Sequence, residues 1–525
     1  MDGALAVQPK DQAVAKRSRR PLEPFGEPRG SAPGSNPPRP ACHILDMMLH
    51  ANEAKRWTGF GIVCLAMLAG LLLIVARHEL PLSSYKAFYC AGRVTLGGAN
   101  PYLTEPLRSC EHRIYADREF PAYAVEPAPL PSYAMAGLAA LALLNAERSH
   151  ALFVVLIFAA LLLTAWALAN VTGFSPALVA LACLSLWRLS LGFGEVVPFA
   201  VGAIALCGWA LQRKKPAAAA IFACIAMIQP HVALPLCAAL FVFMPRLRVP
   251  LAAGAVVLFG IGTLTVGLHA ELAYFTTYLP QQAASEIVAT DQYSLTNLLH
   301  LAGASDRLAL FAGTLSYVAM ALAGIYAGRK LALQYDAPAF LAFTPPAFVL
   351  LGGTFVHDLQ MFAAIPFALL LCARVRQLRW EIAAATALLC VAWTAADSRI
   401  ALVSAALSAI GVGLIIFSGQ AQRIVRTAAL TVLVLASLIV LNRLPARSDA
   451  MATPVHTAAI QPSAPAAQPW ALLIRSAPFW SEPSIRSTAV KVPTWIALLL
   501  LVSAGLAQAA RAGEEEADYA AEPAA

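Results

Sequence analysis

The sequence predicts an all-α polytopic membrane protein with about 13–14 transmembrane helices and a large first extracytoplasmic loop. Of the 525 residues, 59% are hydrophobic and only 13% are charged, and the mean hydropathy is +0.67, whereas a soluble domain has about 25% charged residues. Apolar runs long enough to cross a bilayer recur along the chain. Basic residues stand in short clusters between these runs, so we assign the net charge of +8 to cytoplasmic anchors and not to nucleic-acid binding.

The first 50 residues differ from the rest, because Pro, Gly, Ser and Arg dominate them. Such a composition cannot bury enough apolar surface to offset the entropy lost on ordering. We therefore predict a disordered cytoplasmic tail over 1–50, which translation from Met47 or Met48 would remove. It lacks the apolar core and cleavage site of a signal peptide, so the first span, 57–77, is expected to be an uncleaved signal anchor.

The basic clusters between spans constrain the topology. The candidate spans are 57–77, 128–145, 150–170, 176–190, 196–211, 216–228, 231–245, 249–268, 308–327, 338–354, 359–373, 380–396, 399–417, 425–441 and 492–509. All basic clusters fall on one side only if a single crossing separates residue 171 from Arg213. We therefore expect 176–190 to be re-entrant or to lie along the interface, with 196–211 as the span. Both termini are then cytoplasmic.

This topology divides the chain into a tail, a transmembrane catalytic module and accessory segments. The module is 51–375, with outer loops 78–127 and 269–306; accessory helices cover 376–442, a Pro-, Ala- and Ser-rich flexible extracytoplasmic loop covers 443–490, and the last helix with an acidic cytoplasmic tail covers 491–525.

The first outer loop combines helical and covalent signals. Apolar residues recur at helical spacing from Ser84 to Val94, which predicts a short helix on the membrane surface. Cys90 and Cys110 are its only cysteines, and an exterior compartment is oxidising, so we predict a disulfide, with two free thiols as the alternative. No cysteine or histidine spacing indicates a zinc site, and we expect neither a metal nor another cofactor.

Polar residues beside breaks in the apolar runs collect on this outer face. They are Glu195, His231, Asp291, Gln292, His357 and Asp358. Ionisable groups at membrane depth are costly and usually functional. The alternatives are solvated loop carboxylates, a histidine satisfied inside the helix bundle, and a structural ion pair between the adjacent histidine and aspartate. Their convergence on one face favours function.

An outer-face cavity of this kind suits a lipid-linked polar substrate. Sugar transfer from a polyprenyl phosphate needs a carboxylate that takes the proton from the acceptor hydroxyl. It also needs cationic or hydrogen-bonding groups on the leaving phosphate. The candidates for the second role are His357, His231, Lys86 and Arg93.

Several stretches resemble glycosyltransferase family 87, the polyprenyl-phosphate-mannose-dependent transferases with the GT-C fold, and more closely their bacterial relatives. These stretches are "AFYCAGRVTLGGANPY", "EPAPLPSYA", "GFGEVVPF", "IQPHVALP", "QYSLTNLL" and "PPAFVLLGGTFVHDLQ", in family order across 57–375. The resemblance implies a GT-C-like fold and an inverting transfer of a mannose-like hexose. The donor would be a polyprenyl-phosphate sugar, and the acceptor a glycolipid or envelope glycan at the outer face of the bacterial inner membrane.

The resemblance also suggests site residues. Family members carry a catalytic aspartate in the first outer loop, where this chain has Ser83 and Ser84. The base would then be another carboxylate, or the protein would be inactive as a transferase. The candidate bases are Glu79, Glu126, Glu195 and Asp358. His357 matches a family histidine near the donor phosphate. The substrate-binding candidates are His357, His231, Lys86, Tyr89, Arg93, Asn100, Tyr102, Asp291, Gln292 and Gln360.

Two alternatives to an active transferase stay open. One is a transporter or flippase of a lipid-linked or polar substrate, and the other is a catalytically degenerate family member. Transporters usually show internal repeats with paired broken helices, and no such repeat is evident in the sequence.

Overall fold

The computed structural model describes residues 58–61, 83–114, 124–289, 291–375, 377–395, 398–445, 461–476 and 485–521. The predicted tail 1–50, most of the predicted span 57–77, and Glu79 lie outside these residues. Regular structure within the described ranges is helical apart from two isolated antiparallel bridges. The all-α prediction therefore holds for them.

The helices are numbered from the first outer loop onward. They are α1 Ser83–Leu96, α2 Thr104–Ile114, α3 Ser132–Leu141, α4 Ala146–Thr172, α5 Pro176–Ala182, α6 Leu184–Phe193, α7 Val197–Gln212, α8 Pro216–Ala226, α9 Pro230–Phe243, α10 Pro245–Val266, α11 Leu268–Ala273, α12 Leu279–Ser285, α13 Leu295–Leu301, α14 Asp306–Gln334, α15 Ala339–Val349, α16 Ile365–Arg374, α17 Arg379–Leu389, α18 Arg399–Ile416, α19 Arg423–Arg443, α20 Ala467–Ser476, α21 Ile485–Ala489 and α22 Val492–Ala521. A π turn at Tyr274–Tyr278 joins α11 to α12, and 3-10 turns lie at Asp358–Ala364 and Trp393–Ala395.

Fewer helices are long enough to span a bilayer than the sequence predicts. Within the described ranges six are long and apolar enough, namely α4, α10, α14, α18, α19 and the stretch 485–511. A seventh is the bent pair α5 and α6 if it counts as one span. The described residues thus give six or seven spans of about 20 residues, and the number of about 13–14 for the chain stays a prediction. Several predicted spans are short apolar helices instead, because prolines begin or interrupt them, as Pro230 does in α9 and Pro345 in α15.

The bent pair α5 and α6 connects two helices that run in the same direction. Phe153 of α4 packs on Phe199 of α7 with ring centroids 5.7 Å apart. Further along both helices, Trp166 packs on Trp209 at 5.1 Å. Because α4 and α7 are parallel, the chain returns between them through α5 and α6, which meet at a bend of 61°. The prediction that 176–190 is re-entrant or interfacial is therefore wrong.

The predicted span 128–145, in contrast, is too short to cross the bilayer. Its helix, α3, has only 10 residues, or about 15 Å of length. Both of its ends are tied to the first outer loop, since the Tyr102 hydroxyl donates to the Leu130 carbonyl at 2.9 Å and the Tyr89 hydroxyl to the Leu144 carbonyl at 3.1 Å. The sequence argument failed because it allotted one crossing to each apolar run.

Several of the predicted basic clusters, those of Arg329 and Arg426 among them, lie at one end of the bundle. Arg329 lies over the Phe243 ring at 5.4 Å, Arg426 over the Trp380 ring at 5.7 Å, and Arg511 bonds the Gln377 side chain at 3.3 Å. These contacts join the ends of helices that are far apart in sequence. We call this end the basic end and the opposite one the site end.

The first outer loop lies at the site end. Its helix α1 begins and ends within two residues of the predicted one. Cys90 of α1 and Cys110 of α2 are joined by a disulfide with Cα atoms 5.6 Å apart, the pairing that the sequence suggests. Gly92 permits α1 to pack tightly on α3, because a Cβ there would overlap the backbone carbonyl of Leu138.

Part of the predicted flexible loop 443–490 is an ordered segment. We call residues 461–476 the strap segment. It forms an antiparallel bridge between Pro465 and Leu103 of the first outer loop. The Thr104 amide donates to the Ala464 carbonyl at 2.8 Å, and the Ala466 amide donates to the Tyr102 carbonyl at 2.9 Å.

Candidate functional site: an ionic cluster at the site end

Two non-helical segments lie side by side at the site end. One carries Gln292, before α13, and the other carries His357, after α15, and these two residues form an isolated antiparallel bridge. The Tyr293 amide donates to the Val356 carbonyl at 2.6 Å. The second segment begins where α15 ends at Val349, and it contains Gly353, whose φ of +95° suits glycine and few other residues. The bridge brings the polar residues of both segments together.

His357 lies between two carboxylates. Its Nε2 is 2.8 Å from Glu286 Oε2, and its Nδ1 is 3.3 Å from Asp291 Oδ2. Burial opposes protonation of the imidazole, but the two carboxylates outweigh it and raise the pKa of His357 well above its ordinary value. The two carboxylates therefore favour the protonated ring and engage both of its nitrogens.

Asp291 is the ionised partner with a spare oxygen. Burial by itself raises the pKa of Asp291, but the charge of His357 and the hydrogen bond from it lower that pKa on balance. Lys491 acts in the same direction. No donor among the described residues bonds the buried Asp291 Oδ1 atom, so this oxygen of an ionised carboxylate has unused hydrogen-bonding capacity.

Glu286 is held by donors on both of its oxygens. Its Oε1 accepts hydrogen bonds from the Trp470 indole at 2.9 Å and from the Gln282 side chain. Its Oε2 accepts from Gln292 Nε2 at 3.1 Å and contacts His357. Its side chain is only 6% exposed, which makes it a fixed structural anion.

Lys491 reaches the site from the last helical stretch of the chain. It is 1% exposed, and its Nζ donates to the Gln292 carbonyl at 2.6 Å and to Asn297 Oδ1 at 2.9 Å. Asn297 in turn donates to the Ile287 carbonyl at 2.9 Å. Lys491 therefore fixes the loop that carries Asp291, although the sequence places it outside the predicted catalytic module.

Two predicted catalytic carboxylates face this cluster. Asp358 accepts the Thr394 hydroxyl and the Leu359 amide, and burial raises its pKa. Glu195 accepts the Ser84 hydroxyl and interacts electrostatically with His357, and burial raises the pKa of Glu195 as well. Ser84, which stands where the family would have its aspartate, thus contacts a glutamate from another segment.

A second pair of carboxylates adjoins Glu195. The Glu126 amide donates to Glu111 Oε2 at 3.1 Å. Burial raises the pKa of Glu111 to about 8 and that of Glu126 well above its ordinary value. The charge of half-buried Lys86 partly opposes both shifts. This pair is therefore biased towards the protonated form.

Two further predicted residues lie against His357. The Gln360 side chain accepts a hydrogen bond from the His357 amide at 3.0 Å. The His231 ring is 6.4 Å from the Phe355 ring, and the other edge contact of Phe355 is with the His357 ring at 4.6 Å. His231 thus borders the cluster through an aromatic spacer.

Two predicted residues lie away from the cluster. They are Tyr89, whose hydroxyl donates to the Leu144 carbonyl, and Arg93, which donates to the Ala142 carbonyl at 3.3 Å. These bonds hold α1 against the connection between α3 and α4. They support the wall of the site and do not converge on His357.

Asn100 and Tyr102 border a small groove beside the cluster. Asn100 donates to the Tyr278 hydroxyl at 2.9 Å, and the Tyr102 and Tyr278 rings stack at 4.8 Å. The groove is lined by Pro101, Tyr102, Pro127, Ala128, Pro129, Tyr274, Tyr278, Leu279, Gln282, Pro465, Ala466 and Ala467. Gln282 connects it to Glu286. Among the described residues, no three His, Cys, Asp or Glu side chains are arranged to hold a metal ion.

The class of protein that these observations define is an all-α polytopic membrane protein with a buried ionic cluster at one end. No protein-family model, curated protein or solved structure matches the chain. The relationship to glycosyltransferase family 87 remains a prediction from sequence motifs.

Proposed function

We propose that the chain is a membrane glycosyltransferase that moves a hexose from a polyprenyl-phosphate sugar to a hydroxyl of a glycolipid or glycan. The proposal is carried by Asp291: contact with His357 favours its ionised form, and within the described part of the chain no donor bonds its buried Oδ1 atom. Around it stand carboxyl groups that burial shifts towards their protonated form. One proton acceptor among several proton donors suits attack by a hydroxyl and departure of a phosphate.

In this proposal Asp291 is the general base. The acceptor oxygen bonds to the anomeric carbon, its proton passes to Asp291 Oδ1, and the bond between that carbon and the phosphate oxygen breaks. A base must be unprotonated to accept a proton. The pKa values of Glu126, Glu195 and Asp358 are all raised by burial. Asp291 therefore replaces these three as the candidate base.

The role of His357 also changes from the one that the resemblance implies. Both ring nitrogens contact carboxylates, so neither is available to a phosphate. We assign to His357 the ionisation of Asp291. Lys86 and the protonated forms of Glu126 and Glu195 are the groups proposed to stabilise the leaving phosphate.

A transfer assay with a matched pair of variants tests the proposal. Purified protein in detergent receives radiolabelled polyprenyl-phosphate mannose, and then other polyprenyl-phosphate sugars, with membrane lipid as the acceptor. We expect label to move to a new product and Asp291→Asn to lower the rate about 100-fold or more. The control is Asp306→Asn. Asp306 is 49% exposed, and its ion pairs within the described ranges are with His300 and Arg475, which lie outside the cluster.

Two outcomes would contradict the proposal in different ways. A fully active Asp291→Asn variant would refute the assignment of the base alone. Folded wild-type protein that transfers no sugar from any donor would refute the transferase, and movement of the donor across a liposome bilayer would then test a flippase. The buried carboxylates and His357 described above gather at one end, whereas a transporter needs a site reachable from both.

A further inference from the structure

The strap segment brings a side chain into the ionic cluster from outside the predicted catalytic module. Its backbone is tied to the first outer loop through Ala464 and Ala466, and the Thr104 hydroxyl adds a bond to the Ala464 carbonyl at 2.8 Å. From this position Trp470, which is half-buried on α20, reaches Glu286. The approach of this indole is therefore set by contacts with the wall of the site.

The indole of Trp470 acts on the oxygen of Glu286 that faces away from His357. Its Nε1 donates to Oε1 at 2.9 Å, while Oε2 lies 2.8 Å from His357 Nε2. A carboxylate group is planar, so a donor that fixes one oxygen also fixes the direction of the other. Gln282 shares Oε1 with Trp470, and Gln292 donates to Oε2, so Trp470 is one of three side-chain amide or indole donors that set the orientation.

We propose that Trp470 is a positioning residue, whose indole N–H holds Glu286 so that its second oxygen stays on His357. The strap segment then helps to align a series of four contacting side chains, namely Trp470, Glu286, His357 and Asp291. The effect on reaction rate rests on the proposed transferase function, whereas the positioning itself does not.

Two other tryptophans near the site provide matched controls. The Trp495 indole donates to the Tyr293 carbonyl at 3.2 Å, and the Trp393 indole donates to the Leu388 carbonyl at 2.8 Å. Both acceptors are backbone carbonyl oxygens, which do not titrate. Replacing either tryptophan by phenylalanine removes an indole hydrogen bond whose acceptor is not an ionisable group.

His357 is surrounded by several charged or titratable groups. Those that contact it or act on it are Glu286, Asp291, Asp358, Glu195 and His231, and Lys491 acts on Asp291 and Asp358. A test must therefore distinguish the effect of the Trp470 hydrogen bond from the effects of these titratable groups. The variants Trp495→Phe and Trp393→Phe serve this purpose, because they leave the Trp470 bond in place.

The first measurement needs no substrate. Tryptophan fluorescence of the full chain in detergent is recorded against pH for wild type and Trp470→Phe, and the difference isolates Trp470. We expect this difference to change with pH, and the change to disappear when His357→Gln is present in both proteins. When Trp495→Phe or Trp393→Phe is present in both proteins instead, the difference should still change with pH. A difference that is independent of pH, or that is unaffected by His357→Gln, would overturn the positioning role.

The second measurement uses the transfer assay. We expect Trp470→Phe to lower kcat about three- to tenfold, and to move the alkaline limb of the pH–rate profile to lower pH, because a misaligned Glu286 stabilises the His357 cation less. Trp495→Phe should keep the wild-type profile. An unshifted profile in folded Trp470→Phe would refute the proposal. If wild type transfers no sugar, the transferase proposal fails while the fluorescence titration still decides the positioning.

Discussion

Replacing His357 by glutamine should destabilise the protein strongly, because two carboxylates would lose their cation. Glutamine is similar in size and can still donate one hydrogen bond, but it carries no charge. Glu286 is only 6% exposed, and the His357 side chain is 24% exposed. In the variant, the Glu286 carboxylate would therefore stay shielded from the water that could hydrate its charge.

The magnitude follows from the exposure of the two pairs. Removing one partner of a buried ion pair costs about 3–5 kcal/mol, and the pair with Glu286 at 2.8 Å belongs to that class. The pair with Asp291 is longer, at 3.3 Å, and its carboxylate is 36% exposed. Solvent screening limits this second pair to about 1 kcal/mol or less. We therefore expect His357→Gln to lower the free energy of unfolding by about 3–5 kcal/mol near pH 6.

The loss should depend on pH in a defined direction. The pKa of His357 is raised in the folded protein, so its charge stabilises the fold fully below the unfolded pKa of about 6.5. Above that pH the contribution falls by about 1.4 kcal/mol per unit, until the folded pKa is passed. The difference between wild type and His357→Gln should therefore shrink between pH 6 and pH 8.5.

Equilibrium unfolding in mixed detergent micelles, followed by tryptophan fluorescence, measures this difference. The matched control is His300→Gln, because His300 pairs with Asp306 at 3.0 Å but the two side chains are 29% and 49% exposed. An exposed pair of this kind contributes about 1 kcal/mol or less. Equal losses in the two variants, or a His357→Gln loss that is constant from pH 6 to pH 8.5, would refute the reasoning.

Two predictions concern the first outer loop. Gly92→Ala should destabilise the protein by about 1–3 kcal/mol in the same unfolding assay, because the added Cβ meets the Leu138 backbone, which cannot move aside. Gly137→Ala, on the facing helix, is its control and should be neutral or stabilising, since no atom lies within 4 Å of the added Cβ; equal effects would contradict the packing argument. Replacing Cys90 and Cys110 together by alanine should cost about 3 kcal/mol, because their disulfide closes a separation of 20 residues. Limited proteolysis should then cut this loop faster, and unchanged cleavage would speak against a stabilising role.

The parts of the site that could be predicted are those where polarity interrupts an apolar run. His357 and Asp358 stand between two such runs, and Glu195 and Asp291 stand beside others. Charge at such a break is costly unless it has a partner, so the sequence itself marks these positions. Their convergence at one end follows from the placement of the basic clusters at the other end.

The partners of these residues could not be predicted, because they lack that signal. Glu286 lies in a polar loop of the sequence, where a carboxylate is unremarkable, yet it is buried by Gln282, Gln292 and Trp470. Lys491 precedes an apolar run, where a lysine usually anchors a helix at the membrane surface. Only the tertiary packing, which buries it to 1% exposure against Asn297, distinguishes it from an anchor.

The topology errors have a related cause. Hydropathy counts apolar residues, but it does not tell whether a run lies across the bilayer or against another part of the protein. The run 128–145 became the short helix α3 because the first outer loop covers it, through Tyr102 and Tyr89. The run 176–190 became a bent crossing, whose break at Cys183 carries no proline that would mark it in the sequence.

The crowding of carboxyl groups around the ionic cluster explains why His357 has a large effect on which of them is ionised. Six carboxyl groups lie in or beside the ionic cluster, where the cations of His357, Lys86 or Lys491 act on them; they are Glu111, Glu126, Glu195, Glu286, Asp291 and Asp358. Burial moves Glu111, Glu126, Glu195 and Asp358 towards protonation. The direct contact of His357 with Asp291 separates that aspartate from the others, because it lowers the pKa of one carboxyl while those of Glu195 and Asp358 rise. The identity of the base therefore depends on which carboxylate the cation touches, a pairing that no spacing in the sequence reveals.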